Sequence, residues 1–80
     1  MMHEMLCYKD TEVNKFNTPF FVPFSVNDAA EQLKDGVIKG KIEGAKALEV
    51  YHLGSYDTAT GKFTLVEPTL VIKCADYVRE

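Results

Sequence analysis

Four lysines in one glycine-rich segment are the residues best suited to binding a charged ligand. Lys34, Lys39, Lys41 and Lys46 lie in residues 34–46, where four lysines face one Asp and one Glu. Glycine at every fourth position lets the backbone approach a phosphate closely, and lysines neutralise phosphate charge. The segment therefore predicts a nucleic-acid contact through these lysines; the alternative is a solvated helix end followed by a flexible connection. Without an aromatic side chain it cannot stack bases by itself.

Phenylalanines that are interrupted by prolines form a second candidate site. Phe20, Phe21 and Phe24 follow Phe16 in a stretch that Pro19 and Pro23 interrupt. Because proline fixes φ and lacks an N–H, we predict an extended connection here and not an inner strand. Most of these rings are expected in the core or as a staple on the next helix. The others are candidate contacts for a partner or a second copy, since a core of this size gains from dimerisation.

Catalytic and metal-binding patterns are absent from the sequence. No recognised nucleophile and base ordering or phosphate-binding glycine loop occurs, and His3 and His52 fall in different predicted elements. We predict no catalytic residue, no cofactor and no metal site; a cleft that gathers His52 with two carboxylates would reopen the enzyme hypothesis. Cys7 and Cys74 lie among apolar residues and are predicted to be buried thiols in a reducing compartment.

Length and composition restrict the class of protein. The chain has 80 residues, of which 46% are apolar, and a formal net charge of −3. One domain of residues 1–80 fits this length. The negative charge argues against unspecific coating of nucleic acid, which needs many cationic contacts. We expect no membrane partner and no export, because the sequence contains neither a spanning segment nor a signal peptide.

A short internal repeat predicts two equivalent hairpin loops. Residues 10–16 and 57–63 share Asp, Thr, Lys and Phe at the same positions, and Asn14 stands where the second copy has Gly61. Aspartate favours the start of a turn, and Asn and Gly tolerate positive φ. Each segment is therefore expected to form a type I turn that closes through a left-handed residue.

Alternating segments beside these loops predict the strands. Residues 5–8 precede the first loop, and residues 47–56 alternate before the second until Gly54 interrupts them, which predicts a bulge or a close backbone approach. The strand after the second loop is expected to end at Glu67-Pro68. Residues 70–78 are either a further strand or a packed irregular tail.

One amphipathic helix separates the hairpins. Ser25 or Asn27 can cap its start, and we place its end between residues 35 and 40. Its predicted apolar face consists of Val26, Ala29, Ala30, Leu33 and Val37. The order ββαββ, with or without a fifth strand, predicts an α+β fold in which one helix packs on one face of a small antiparallel sheet.

Several motifs in order along residues 8–68 resemble a phage protein family. They are Pro19-Phe20-Phe21, Asn27-Asp28-Ala29, Leu53-Gly54-Ser55-Tyr56-Asp57, Thr60-Gly61-Lys62-Phe63 and Pro68. Together they look like the small non-structural protein of gokushoviruses, single-stranded DNA phages of the microvirus family, a protein likened to the microvirus C protein. The helix departs from the family pattern: where the family often has an Arg, this chain has Leu33 with Lys34 beside it.

The resemblance implies an accessory role in viral single-stranded DNA synthesis or packaging, in the cytoplasm of the infected bacterium. Viral or host replication proteins are the implied partners, with single-stranded DNA as a further ligand. Asn27 and Asp28 carry over as the helix opener and Gly61 as the turn glycine; the resemblance supplies no active site. The alternative function is a protein-interaction or homodimerisation module without affinity for nucleic acid.

Overall fold

The computed structural model describes residues 1–78, which form five strands, one α-helix and two 3-10 helices. The strands are β1 (Met2–Asp10), β2 (Lys15–Phe16), β3 (Phe20–Val22), β4 (Leu48–Asp57) and β5 (Lys62–Lys73). Helix α1 covers Val26–Ile38, and the 3-10 helices are Ala45–Ala47 and Cys74–Tyr77. The predicted α+β class is confirmed.

The sheet is antiparallel and has β1 and β4 at its centre. Strand β5 pairs with the outer side of β4, while β2 and β3 pair with successive parts of the other side of β1. The fifth strand is therefore Phe20–Val22, in the proline-flanked connection. It lies at an edge of the sheet, as expected for a segment between Pro19 and Pro23, which have no N–H to donate. The sequence had favoured the C-terminal end of the chain for any fifth strand.

Strand β5 corrects two predictions about the C-terminal region. It does not end at Glu67-Pro68 but continues to Lys73. The missing N–H of Pro68 is tolerated because β5 is an edge strand, and the pairing with β4 shifts register between Leu65 and Thr69. The predicted segment 70–78 is thus divided between the end of β5 and the 3-10 helix that follows it.

The two hairpin loops have the equivalent conformations that the repeat predicted. Asn14 and Gly61 both adopt positive φ, 56° and 72°. In the first loop Asp10 Oδ1 accepts the amide two residues on at 2.9 Å, and Asp57 Oδ1 does the same in the second loop, also at 2.9 Å. A side chain that accepts from its own turn is the reason for aspartate at both positions.

A pair of threonines repeats this equivalence between the hairpins. The amide and hydroxyl of Thr11 both donate to the carbonyl of Ala47, just before β4. The amide and hydroxyl of Thr58 both donate to the carbonyl of Met1, just before β1. Each loop is thereby tied to the start of the other hairpin, and the two hairpins are related by an approximate two-fold axis between β1 and β4.

Helix α1 begins and ends as the sequence predicted. The Ser25 hydroxyl accepts the amide of Asp28 at 3.1 Å, so Ser25 is the N-cap. The helix ends at Ile38, and the amides of Gly40 and Lys41 bond to carbonyls of the last turn, with Gly40 at a φ of 71°. This is the glycine-terminated Schellman arrangement.

The core lies between α1 and one face of the sheet. Its buried members come from the strands, the helix and both 3-10 helices: Leu6, Ala29, Val37, Ala45, Val50, Ile72 and Cys74. From the predicted apolar helix face, Ala29 and Val37 are buried, whereas Ala30 and Leu33 are partly buried against the core.

Gly54 forms the bulge that the interrupted alternation predicted. Its φ is 152°, and a Cβ at this position would overlap the carbonyl oxygen of Thr64 on β5. The pairing of β4 shifts register between His52 and Gly54, both against Met5 and Leu6 of β1 and against Leu65 and Thr69 of β5. The alternation of β4 therefore restarts at this glycine.

Candidate functional site

The sheet face opposite α1, here called the open face, carries most of the exposed aromatic side chains. Leu6 and Val50 point toward the helix and are buried. Strand register places their neighbours on the other side, because successive side chains alternate. The aromatic residues of the open face are Phe16, Phe21, Tyr51, Tyr56 and Phe63.

At one end of the open face a lysine lies over two rings. Phe16 and Tyr51 meet edge to face with centroids 5.3 Å apart. Lys9 Nζ is 5.3 Å from the Phe16 centroid and 5.8 Å from that of Tyr51, both within cation–π range. These residues, the Lys9 cluster, come from β1, β2 and β4. They combine a half-exposed ring with a positive charge.

A hydrogen bond fixes the Tyr51 ring. Its hydroxyl donates to Glu49 Oε1 at 2.9 Å. That bond, together with desolvation and the Glu49 charge, raises the pKa of Tyr51. Cys7, paired with Tyr51 across the strands, is buried, and burial raises the pKa of its thiol. The Tyr51 hydroxyl and the Cys7 thiol are therefore uncharged, and the charges of the Lys9 cluster are those of Lys9 and of Glu49, which pairs with Lys9 across the strands.

At the other end of the open face three rings pack together. Phe21 and Phe63 have centroids 6.1 Å apart, Tyr56 and Phe63 4.8 Å, and Phe21 and Tyr56 6.2 Å. Leu65 follows on the same side of β5. We call these four residues the aromatic patch. Phe21, Phe63 and Leu65 are 46%, 58% and 70% exposed.

Two of the lysines predicted to bind nucleic acid are paired with carboxylates of their own helix. Lys34 Nζ is 3.3 Å from Glu31 Oε1, and this bond is the main cause that raises the pKa of Lys34. Lys34 also lies 5.4 Å from the centroid of the Tyr77 ring. Lys39 Nζ is 2.9 Å from Asp35 Oδ2. Their charges are therefore partly compensated before any ligand arrives.

The other two predicted lysines lie beyond the helix. Lys41 is exposed and follows the Schellman glycine, whereas Lys46 belongs to the first 3-10 helix and lines a cavity of about 370 Å³. Lys34 lines a different cavity, beside β5. The four lysines thus spread from the middle of α1 to the start of β4, and Lys34 and Lys46 open onto separate sites.

The three predicted phenylalanine contacts have different environments. Phe20 and Phe24 are partly buried against the core, and Phe20 lies 5.5 Å from Tyr8, ring centre to ring centre. Phe24 and Ala29, in the first turn of α1, line one small cavity, as expected of a staple. Phe21 points to the open face and is exposed, so its role as a contact stays a prediction.

A cleft of about 570 Å³ between α1 and β5 is lined by His52 and by two carboxylates, those of Asp28 and Glu31. His52 Nε2 is 2.9 Å from Glu4 Oε1, so this nitrogen is already engaged. The hydroxyl of Thr69, which also lines the cleft, donates to a backbone carbonyl at 2.8 Å. The absence of enzymatic activity stays a prediction.

In residues 1–78 no group of three or more His, Cys, Asp or Glu side chains is arranged to hold a metal ion. No helix in that range has both the length and the apolar character to span a membrane. Comparison with protein-family models, curated proteins and solved structures finds no match.

The Lys9 cluster and most of the aromatic patch are not among the sites that the sequence predicted. Tyr51 was part of a recognised alternation, and Phe63 and Leu65 are two positions apart on one strand. These spacings indicate that aromatic side chains share a sheet face. Sequence could not indicate that Phe16 and Phe21 join them, because that depends on how β2 and β3 pair with β1.

Proposed function

We propose that the chain is a non-structural accessory protein of a single-stranded DNA phage, acting in viral DNA synthesis or packaging in the cytoplasm of the infected bacterium. The family resemblance supports this role and implies viral or host replication proteins as partners. The Lys9 cluster is the observation that carries the DNA-binding part of the proposal. It is a half-exposed ring beside a lysine on an open antiparallel sheet face.

Proteins that bind single-stranded nucleic acid commonly combine exposed aromatic rings with nearby cations. Bases stack on aromatic side chains, and cations neutralise the backbone. Phe16 is 49% exposed and offers its ring, while Lys9 is close enough to reach an adjacent phosphate. Because the chain carries a net charge of −3, the contact is expected to be weak, local and strongly sensitive to salt.

Fluorescence anisotropy with a labelled oligothymidylate tests the DNA contact. The protein should bind at about 20 mM salt and much less at about 150 mM. Phe16→Ala should weaken binding about 5-fold to 150-fold, the range for loss of one stacked base. Val13→Ala is the matched control, because Val13 is an exposed apolar residue of the adjacent loop. An absence of binding at low salt would reject direct DNA contact and favour the protein-interaction alternative.

Salt dependence separates the two candidate sources of positive charge. Lys9→Ala should lower the slope of log affinity against log salt by about one phosphate contact. A Lys39→Ala/Lys41→Ala double variant tests the glycine-rich segment in the same way. If the double variant keeps the wild-type slope, those lysines make no phosphate contact; if Lys9→Ala keeps it, the Lys9 cluster is not the site.

A further inference from the structure

We propose that the aromatic patch, formed by Phe21, Tyr56, Phe63 and Leu65, is the interface of a symmetric homodimer. This inference is independent of DNA binding, since it concerns the other end of the open face from the Lys9 cluster. The exposed side chains, the overall shape of the chain and the charge of the patch support it.

The chain exposes more surface than a monomer of its mass normally does. Its accessible surface is 5269 Å², compared with about 4,850 Å² expected for a folded protein of 9.0 kDa. Its radius of gyration is 12.9 Å, compared with about 11.6 Å for a typical domain of this length. Large apolar side chains contribute to this exposed surface, and three of them, Phe21, Phe63 and Leu65, belong to the aromatic patch.

The chemistry of the patch favours a second copy as the occupant. A symmetric dimer places the same surface on both sides, so charged groups at its centre would meet like charges. None of the four patch residues carries a charge, and aromatic rings can pack against rings in edge-to-face geometry. A phosphate backbone would find no lysine within the patch. Because both partners are copies of the same chain, the two surfaces of the interface are identical and present in equal amounts.

The adjacent edge of the sheet argues that the occupant covers a face and does not extend the sheet. The outer side of β5 is open, but Pro68 lacks a donor and two register shifts bend the strand. Prolines and bulges on an edge prevent another strand from pairing there. Both features lie beyond Leu65 and oppose strand addition on the C-terminal half of β5. Phe63 and Leu65 present their exposed side chains on the open face, where a second copy can pack across them.

The size of the patch sets the expected affinity. Phe21, Phe63 and Leu65 are 46%, 58% and 70% exposed, so with the partly buried Tyr56 the patch presents roughly 400 Å². This is less than the ~600 Å² per partner of smaller specific interfaces, so residues around the patch must contribute and the dimer must be weak. We therefore expect a reversible dimer with a dissociation constant in the micromolar range.

Sedimentation equilibrium between about 1 and 500 μM tests the dimer. The wild-type chain should change from monomer to dimer across this range. A Phe63→Ser/Leu65→Ser double variant should raise the dissociation constant at least about tenfold, as loss of central interface side chains does. Val13→Ser, which changes an exposed apolar residue far from the patch, should leave it unchanged.

Three outcomes would overturn the inference. They are a wild-type chain that stays monomeric throughout, a double variant that dimerises as well as wild type, and a control variant that dissociates as much as the double variant. Far-UV circular dichroism must show that the double variant is folded. If it is not, Leu65→Ser alone replaces it, because Leu65 is the most exposed patch residue.

DNA binding is measured on the same variants to keep the two proposals separate. The double variant retains Phe16 and Lys9 and should bind a short oligonucleotide with wild-type affinity. Its affinity for a longer strand should fall, since only a dimer can engage two segments of one strand. A dimer without DNA affinity would reject the proposed function alone, and a DNA-binding monomer would reject the dimer alone.

Discussion

Replacement of Gly54 by alanine tests the bulge that divides β4. The φ of 152° lies in a region that residues with a side chain rarely adopt, at a cost of about 1–3 kcal/mol. The new methyl group would also overlap the Thr64 carbonyl, and opening the strand pair to accommodate it costs about 1–3 kcal/mol more. A total of about 2–6 kcal/mol is a large part of the ~4–12 kcal/mol expected for a chain of this length.

Two other glycines are controls for the separate contributions. Gly40 has a φ of 71°, but a methyl group added there would have no atom within 4 Å, so Gly40→Ala should cost about 1–2 kcal/mol from backbone conformation alone. Gly36 lies inside α1, where a methyl group would make ordinary contact with Ile42 at 3.4 Å. Gly36→Ala should therefore stabilise the protein by about 0.5–1 kcal/mol through helix propensity.

Urea unfolding followed by far-UV circular dichroism gives the three free energies. The expected order of stability is Gly36→Ala, wild type, Gly40→Ala and then Gly54→Ala. If Gly54→Ala lost no more stability than Gly40→Ala, the close approach of β4 to β5 would not be the constraint. A loss below about 0.5 kcal/mol at Gly54 would refute the bulge argument altogether.

Three further predictions concern the helix cap, a turn and the thiols. Ser25→Ala should cost about 1 kcal/mol in urea unfolding, whereas Ser25→Asp, which can still accept the Asp28 amide, should cost little. The pKa of Asp57 is lowered chiefly by the backbone amide that its carboxylate accepts. The stability that this carboxylate contributes is therefore present above its pKa in the unfolded chain, and it is lost as the pH falls through the lower pKa of the folded protein. Asp57→Asn should therefore lose less stability than wild type between about pH 5 and pH 3; equal losses would contradict this. Burial raises the pKa of Cys7 and Cys74. Both thiols should therefore react with a disulfide reagent much more slowly in the folded protein than in the protein unfolded in urea.

The local features of the fold were predictable from sequence. The loops at Asn14 and Gly61, the cap at Ser25 and the bulge at Gly54 each depend on residues within a few positions. The course of β5 through Pro68 was not, because proline is excluded from inner strands and tolerated at edges, and only the complete sheet defines the edge.

The candidate sites divide in the same way: contacts between residues close in sequence were predictable, and contacts that depend on strand pairing were not. Lys34 and Lys39 were grouped by their proximity in sequence, but Glu31 and Asp35 stand three and four positions before them, a spacing that predicts ion pairs within the helix. The Lys9 cluster joins three strands, so strand pairing had to be known before it could be found.

The antiparallel contact of β1 with β4 has a consequence for the order of folding. Each hairpin loop can close within a few residues, but a single two-stranded hairpin is at best marginally stable in water. The buried side chains Leu6 and Val50 meet only when residues more than 40 positions apart come together. Closure of that long loop must precede most of the stabilisation. The chain is therefore expected to fold in one cooperative step limited by the meeting of its two halves, with the helix carried between them.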